Sequence, residues 1–126
     1  MLLYLMRHGK AVNADVNPER PLSPEGREIV AAVGKKMNQS RIRFNSIVHS
    51  TKLRAKETAS IVSAALGYKD LAEEWPRLEP DHSIEPALNK LEDYQIEFPD
   101  HHMLLVGHLP FIPKLIRALT QKNHDH

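Results

Sequence analysis

Short apolar runs alternate along the chain with stretches of helical periodicity, and this alternation constrains the fold more than any other feature. The runs are Leu2–Met6, Asn45–His49 and Met103–Gly107, each bounded by polar or turn residues, with Trp75–Leu78 as a weaker fourth. Runs of this kind are typical of strands that are buried on both faces of a sheet. We predict an α/β fold, a three-layer sandwich with a mostly parallel central sheet and helices on both faces.

Four helices are predicted between and after these strands. The first follows an N-cap at Ser23 and runs to Met37. The second runs from Lys52 to Leu66, the third spans Ile84–Tyr94, and the fourth begins at Pro110. Apolar residues at helical spacing form the expected inward stripes of the first, second and fourth helices: Ile29, Val30, Val33 and Met37; Ala55, Ala59, Val62 and Leu66; and Ile112, Leu115, Ile116 and Leu119.

The chain is short and nearly neutral, which excludes several classes of function. Its 126 residues are enough for one domain, spanning 1–126, with a core of its own. The net charge of +1 provides no large basic field for a nucleic acid, and no apolar stretch approaches the length of a membrane span. The absence of cysteine excludes disulfides and thiolate chemistry and fits a reducing compartment. We expect a cytoplasmic protein that binds neither nucleic acid nor membrane.

Arginine and histidine side chains cluster where the predicted strands end. The first strand ends in Arg7-His8-Gly9, the last ends in Gly107-His108, and Arg54 lies in the first turn of the helix after the second strand. Because the carboxyl ends of parallel strands share one edge of the sheet, we expect these side chains to meet there, where such sheets bind ligands. Guanidinium groups and an imidazole suit the charge of a transferring phosphoryl group, and a second, neutral imidazole can attack phosphorus.

Neighbouring residues are candidates for substrate binding. Gly9 would let the backbone approach the ligand, and Lys10 would steer anionic substrates. Ser50 is a candidate phosphate contact, although both Ser50 and Thr58 also fit a capping or packing role. For Arg54 the alternative is a surface ion pair with Glu25 or Glu57.

The other histidines do not predict a metal centre. Ligand-type residues occur together at Asp81-His82, Asp100-His101-His102 and His124-Asp125-His126. None of these groups has the i, i+4 pair of histidines that holds zinc on a helix. We expect neither a metal nor a cofactor.

Four segments resemble the histidine phosphatase superfamily, and within it the short branch of protein phosphohistidine phosphatases, the SixA type. The resemblance implies a phosphoglycerate mutase-like fold, His8 as a nucleophile that forms a phospho-His8 intermediate, and a phosphate pocket of Arg7, Arg54 and His108. The segments cover nearly the whole chain in the expected order: Leu5-Met6-Arg7-His8-Gly9-Lys10-Ala11, Arg20-Pro21-Leu22-Ser23-Pro24-Glu25-Gly26, Ser50-Thr51-Lys52-Leu53-Arg54-Ala55-Lys56-Glu57-Thr58-Ala59 and Leu104-Leu105-Val106-Gly107-His108-Leu109-Pro110.

The chain departs from the family pattern at two points. Many members carry a carboxylate general acid after the third strand, for which the candidates here are Glu79 and Asp81. In the short branch this acid is dispensable, because a phosphohistidine nitrogen protonated on its own imidazole leaves more readily than an alkoxide. Members also usually continue into another strand near the sheet edge, so this edge strand is expected to be missing. An exposed edge favours dimerisation or lowers stability, and we expect a monomer or a weak dimer.

These observations predict a metal-independent phosphatase that removes phosphoryl groups from histidine on a protein, such as a histidine-containing phosphotransfer domain. No long insertion lies between Arg54 and His108 to cover a small metabolite, which favours an open site. The alternative enzyme is a small-molecule phosphomonoesterase or mutase of the same superfamily. The alternative of another class is a phosphate-recognising binding module without turnover.

Overall fold

Strands and helices alternate along the chain in the predicted order. The computed structural model describes residues 1–124, with side chains described as far as residue 121. The four strands form one parallel sheet in the order β1-β4-β2-β3, which confirms the predicted α/β fold. The elements are β1 (Leu2–Arg7), α1 (Pro24–Gln39), β2 (Ser46–His49), α2 (Leu53–Ala65), β3 (Ala72–Glu74), α3 (Glu85–Glu97), β4 (His102–Gly107) and α4 (Phe111–His124).

The two faces of the sheet are covered by different pairs of helices. On one face, α1 and α2 pack against residues of β2 and β4 in a core that includes Val30, Val62, Ile47 and Leu104. On the other face, α3 and α4 pack against the alternate residues of the same strands. Burial of apolar surface in two layers is the main term that stabilises such a sandwich. The predicted stripe of α2 is confirmed, since Ala55, Ala59, Val62 and Leu66 are all buried.

Helix α1 begins as predicted but buries a different face. The Ser23 hydroxyl accepts a hydrogen bond from the Gly26 N–H at 2.9 Å, which confirms Ser23 as the N-cap. Ile29 and Val33 were expected in the core, and both are exposed. The buried positions are Gly26, Val30 and Gly34.

Small residues cause this rotation of α1. A Cβ atom at Gly26 would lie 2.2 Å from the Lys10 carbonyl oxygen, and one at Gly34 would lie 2.7 Å from the Ala65 Cβ. The helix therefore approaches the loop after β1 and helix α2 so closely that only glycine fits at the contacts. The close packing of the face formed by Gly26, Val30 and Gly34 therefore decides which side of α1 is buried, although the neighbouring face carries larger apolar side chains.

Two further predictions of the sequence are wrong in detail. The third strand is Ala72–Glu74, not Trp75–Leu78. Trp75 and Leu78 are buried, but Pro76 and Arg77 form a turn between them, with Arg77 at a φ of +67°. On α4, Ile112 and Leu115 are buried as expected, whereas Ile116 is exposed.

Strand β1 lies at one edge of the sheet and pairs only with β4 among the described strands. Its register aligns Arg7 with Gly107, so β1 and β4 end side by side. No helix within residues 1–124 is long and apolar enough to cross a membrane.

Candidate active site

The ends of β1 and β4 bring two histidine rings together. The His8 N–H donates to the Gly107 carbonyl at 3.0 Å, which extends the ladder by one residue beyond Arg7. The imidazole rings of His8 and His108 then lie 5.0 Å apart between centroids, at an interplanar angle of 54°. The structure therefore brings together two residues that are 100 positions apart in the sequence, as predicted from the strand ends.

The His8 ring is held in one tautomer. Its Nδ1 lies 2.6 Å from the Gly9 carbonyl oxygen, which can only accept, so Nδ1 carries the proton and Nε2 carries the lone pair. Burial lowers the pKa of His8, and the positive charges of Arg54, Arg7 and Arg20 lower it further against the opposing effect of the Gly9 hydrogen bond. A neutral imidazole with its Nε2 lone pair available is the form that can act as a nucleophile.

His108 is buried and also neutral. Burial is the largest cause that lowers its pKa to about 3, with the nearby charges of His8, Arg54 and Lys52 adding to the effect. Its Nε2 lies 2.5 Å from the Ser50 hydroxyl, and its buried Nδ1 has no hydrogen-bond partner among the described residues. Ser50, predicted to bind substrate, is itself fully buried, so its hydroxyl sets the orientation of His108.

Arg54 faces the site instead of a surface carboxylate. Glu57 pairs with Arg27 and Glu25 pairs with Lys10, so neither forms the ion pair considered as the alternative for Arg54. Burial lowers the pKa of Arg54, and the charge of Arg20 adds to this. A guanidinium remains protonated at any physiological pH, so Arg54 is a partly buried permanent cation.

Thr58 joins the loop after β1 to helix α2. Its buried hydroxyl accepts from the Gly9 N–H at 2.9 Å and donates to the Arg54 carbonyl at 2.8 Å. This hydroxyl therefore couples the positions of His8 and Arg54 through backbone contacts, which confirms a packing role for Thr58. Helix α2 begins at Leu53 without a side-chain cap, so the positive end of its dipole lies at the turn that carries Arg54.

Gly9 is required for the packing of the loop after β1. A Cβ at this position would lie 2.6 Å from a methyl group of Val30 and 3.3 Å from one of Leu22. The missing side chain therefore allows the loop to pack on α1, and the Gly9 N–H is engaged by Thr58. Lys10 is exposed and lies 3.0 Å from Glu25, an ion pair between two solvent-exposed side chains.

A pocket of about 360 Å³ opens beside His8, and its wall includes one charged residue that was not proposed for the site. Arg20 lines this pocket, although it lies in a loop 12 positions after His8. No periodicity predicts where a loop side chain points. The available signal was its place at the head of the Arg20-Pro21-Leu22 segment, which matches the family pattern.

The two acid candidates differ in position. The Glu79 carboxylate accepts a hydrogen bond from the Thr51 hydroxyl at 2.6 Å. Its negative charge lies close enough to His108 to raise the pKa of that histidine. Burial raises the pKa of Glu79, but the hydrogen bond from Thr51 and other contacts outweigh it, and the net pKa is lowered. Asp81 is exposed in the turn that leads to α3. Glu79 is therefore the carboxylate that the fold brings to the site.

No three residues of the metal-binding types cluster within the part of the chain that the structure describes. The group His124, Asp125 and His126 falls outside the residues whose side chains are described. Of the other two groups, His82 lies 3.5 Å from Glu79, and His101 lies 2.7 Å from the Ser46 hydroxyl.

Comparisons with known proteins agree with the fold. An uncharacterized protein of Picosynechococcus is 34% identical over 130 residues, covering all of this chain and 77% of that relative. The human mitochondrial serine/threonine-protein phosphatase PGAM5 is 35% identical over 88 residues, which are 65% of this chain and only 30% of PGAM5. The solved structure of the protein histidine phosphatase SixA with tungstate matches at a TM-score of 0.82 and 26% identity, covering 92% of this chain and 74% of SixA.

A family profile provides the assignment. The profile of the histidine phosphatase superfamily (branch 1) matches residues 3–80, more than half of the chain. This range includes His8, Arg54 and the loop that carries Arg20. The chain therefore belongs to the histidine phosphatase superfamily.

Proposed function

We propose that the protein is a metal-independent, cytoplasmic phosphatase that removes phosphoryl groups from histidine side chains of a partner protein. The observation that carries this proposal is the pairing of His8 with His108, rings 5.0 Å apart, beside the partly buried guanidinium of Arg54. The similarity to SixA, a protein histidine phosphatase, supports the choice of substrate.

The first step is an in-line displacement at phosphorus. The Nε2 lone pair of His8 forms a bond to phosphorus, and the bond between phosphorus and the substrate imidazole nitrogen breaks. The departing imidazole carries a proton, which makes it a good leaving group without an acid from the enzyme. Arg7 and Arg54 supply preorganised positive charge for the equatorial oxygens, with His108 beside them.

The second step returns the enzyme to its starting state. Water attacks the phospho-His8 intermediate, the bond between phosphorus and Nε2 breaks, and inorganic phosphate leaves. The Glu79 carboxylate lies near His108 and has a lowered pKa, so it is ionised at neutral pH, able to accept a proton from that water and able to release it to solvent afterwards.

The position of Glu79 also supports a second candidate, the hydrolysis of a small phosphomonoester. An alkoxide leaving group needs a proton, so a carboxylic acid matters more for an ester than for phosphohistidine. Because the pKa of Glu79 is lowered, this carboxylate must take up a proton before it can act as the acid. We expect Glu79→Gln to slow phosphomonoester hydrolysis by at least about tenfold more than phosphohistidine hydrolysis, measured as kcat/KM. Equal losses on both substrates would contradict this division of roles.

The direct test is phosphate release from a phosphohistidine protein in the presence of EDTA. Wild type should release phosphate, His8→Ala should not, and His102→Ala serves as the matched control because His102 is exposed at the start of β4. Release by His8→Ala at the wild-type rate would refute the nucleophile. Phosphate-dependent binding without release by the wild type would favour a binding module, and release that EDTA abolishes would refute metal independence.

A further inference from the structure

The pocket beside His8 is larger than a phosphoryl group requires. Its volume is about 360 Å³, whereas a phosphoryl group has only a few heavy atoms. Its wall consists of the loop after β1 and one side chain from further along the chain: Arg7, His8, Gly9, Lys10, Ala11 and Arg20. The pocket therefore extends beyond His8 toward Lys10 and Arg20, and it has room for part of a substrate other than the transferred group.

Arg20 adopts a backbone conformation that is unfavourable for its residue type. Its φ is +51°, in the left-handed region that costs a residue with a Cβ about 1 kcal/mol or more. Two hydrogen bonds hold it there: its N–H donates to the Asn17 carbonyl at 2.9 Å, and its Nε donates to the Val12 carbonyl at 3.0 Å. The side chain is thus anchored through Nε, and within the described residues its terminal nitrogens make no hydrogen bond.

The charges of the two cations on this wall are balanced differently. Lys10 is paired with Glu25, which offsets much of its charge. Arg20 has no carboxylate partner among the described residues. Its positive charge lowers the pKa of both His8 and Arg54, as expected for a guanidinium that faces the site.

We propose that Arg20 is a specificity-determining residue that binds a carboxylate of the substrate protein close to the phosphohistidine. The inference rests on the proposed function for the identity of the transferred group. Two parallel N–H donors match the geometry of a carboxylate, and a fork anchored through Nε needs little further ordering to bind one. In the proposed reaction Arg7, Arg54 and His108 hold the phosphoryl group, which leaves Arg20 for a neighbouring anion.

The test uses a set of phosphohistidine peptides that differ at one position. Each pair of peptides carries Asp or Asn at one of the two positions on either side of the phosphohistidine. We expect the wild type to favour the Asp peptide of at least one pair by roughly fivefold in kcat/KM, the upper range for a solvent-accessible ion pair. Arg20→Gln should reduce that preference to about one.

A matched control is available in the same chain. Arg41 also has a left-handed backbone, with a φ of +59°, and it is exposed after α1. Arg41→Gln therefore reproduces the change in charge and side-chain type at a comparable backbone, and it should leave the Asp preference unchanged. Equal losses on Asp and Asn peptides in Arg20→Gln would overturn the proposal, as would an unchanged preference.

Binding separates this inference from the proposed reaction. The affinities of the same peptides for His8→Ala and for His8→Ala with Arg20→Gln report the carboxylate contact without turnover. An Asp preference in binding that disappears with Arg20→Gln supports the contact even where the wild type hydrolyses no peptide, an outcome that refutes the reaction alone. Absence of an Asp preference in binding would overturn the proposal for Arg20.

Discussion

Two serine–histidine pairs lie at opposite ends of β2, and they share a hydrogen bond but differ in their surroundings. Beyond the carboxyl end, the Ser50 hydroxyl lies 2.5 Å from Nε2 of His108; at the amino end, the Ser46 hydroxyl lies 2.7 Å from Nε2 of His101. Burial is the largest cause that lowers the pKa of each histidine. A histidine with a lowered pKa that is held by a serine is therefore not by itself a sign of catalysis.

The surroundings distinguish the two pairs. His108 lies against His8 and near the charge of Arg54. This is the edge of the sheet where the parallel strands end and their loops begin. His101 packs against the rings of Tyr94 and Phe98, at centroid distances of 5.4 Å and 5.7 Å. Guanidinium groups can stabilise a developing anionic charge, whereas aromatic rings contribute packing.

Removing each imidazole should give the largest difference between the two ends. We expect His108→Ala to lower kcat/KM on a phosphohistidine protein by ~10²–10³-fold, the usual cost of losing one preorganised group around a transition state. His101→Ala should leave kcat/KM within about twofold of wild type and lower the free energy of unfolding instead, by about 1 kcal/mol. Comparable losses of kcat/KM in both variants would contradict the assignment of His108 to catalysis and His101 to packing.

The serine hydroxyls sharpen the same comparison on a smaller scale. Ser50→Ala should lower kcat by about tenfold with little change in KM, because the hydroxyl acts by orienting His108. Ser50→Thr, which keeps a hydroxyl, should recover part of that loss. Ser46→Ala should leave kcat unchanged and cost about 1 kcal/mol in a urea unfolding experiment, the typical value of one hydrogen bond. A rise in KM with kcat unchanged for Ser50→Ala would indicate that the hydroxyl binds substrate and would argue against an orienting role.

Acid should destabilise the protein through both His101 and His108, the histidines of the two pairs at the ends of β2. In the unfolded chain each histidine titrates near pH 6.5, whereas burial holds the pKa of His101 below this value and that of His108 at about 3. The unfolded state therefore binds more protons as the pH falls below about 6.5, and stability decreases with falling pH. Replacing His108 by Asn should flatten this decrease more than replacing His101, as urea unfolding at pH 7, 6 and 5 would measure. Equal slopes in wild type and both variants would contradict the lowered pKa values.

The sequence predicted the elements better than it predicted which faces they bury. Ser23 carries a local capping signal, and the stripe of α2 consists of residues that fit a core, so both were confirmed. On α1 the large residues Ile29 and Val33 misled the prediction, because tertiary contacts selected the glycine-containing face. Trp75 and Leu78 show that buried side chains do not require a strand when a turn can place them in the core.

The sheet topology predicted where the two histidines of the candidate site meet, but it did not predict the roles of Arg20 and Ser50. His8 and His108 meet because parallel strands end at one edge, and that rule needs no knowledge of loops. Arg20 reaches the pocket through a loop conformation with a positive φ, which no periodicity indicates. Ser50 was a candidate for phosphate because of its position, and only the packing of β2 against β4 shows that its hydroxyl lies on an imidazole.

The glycine face of α1 has a consequence for handling the protein in the laboratory. Gly26 and Gly34 seat the helix against the loop after β1 and against α2, while Ile29 and Val33 of the same helix are exposed. Position 33 is therefore an attachment point for a dye or a surface tether, since the cysteine-free chain accepts one thiol there without a competing reaction. A label at this position would report on α1, the helix that packs through Gly26 against the loop after β1.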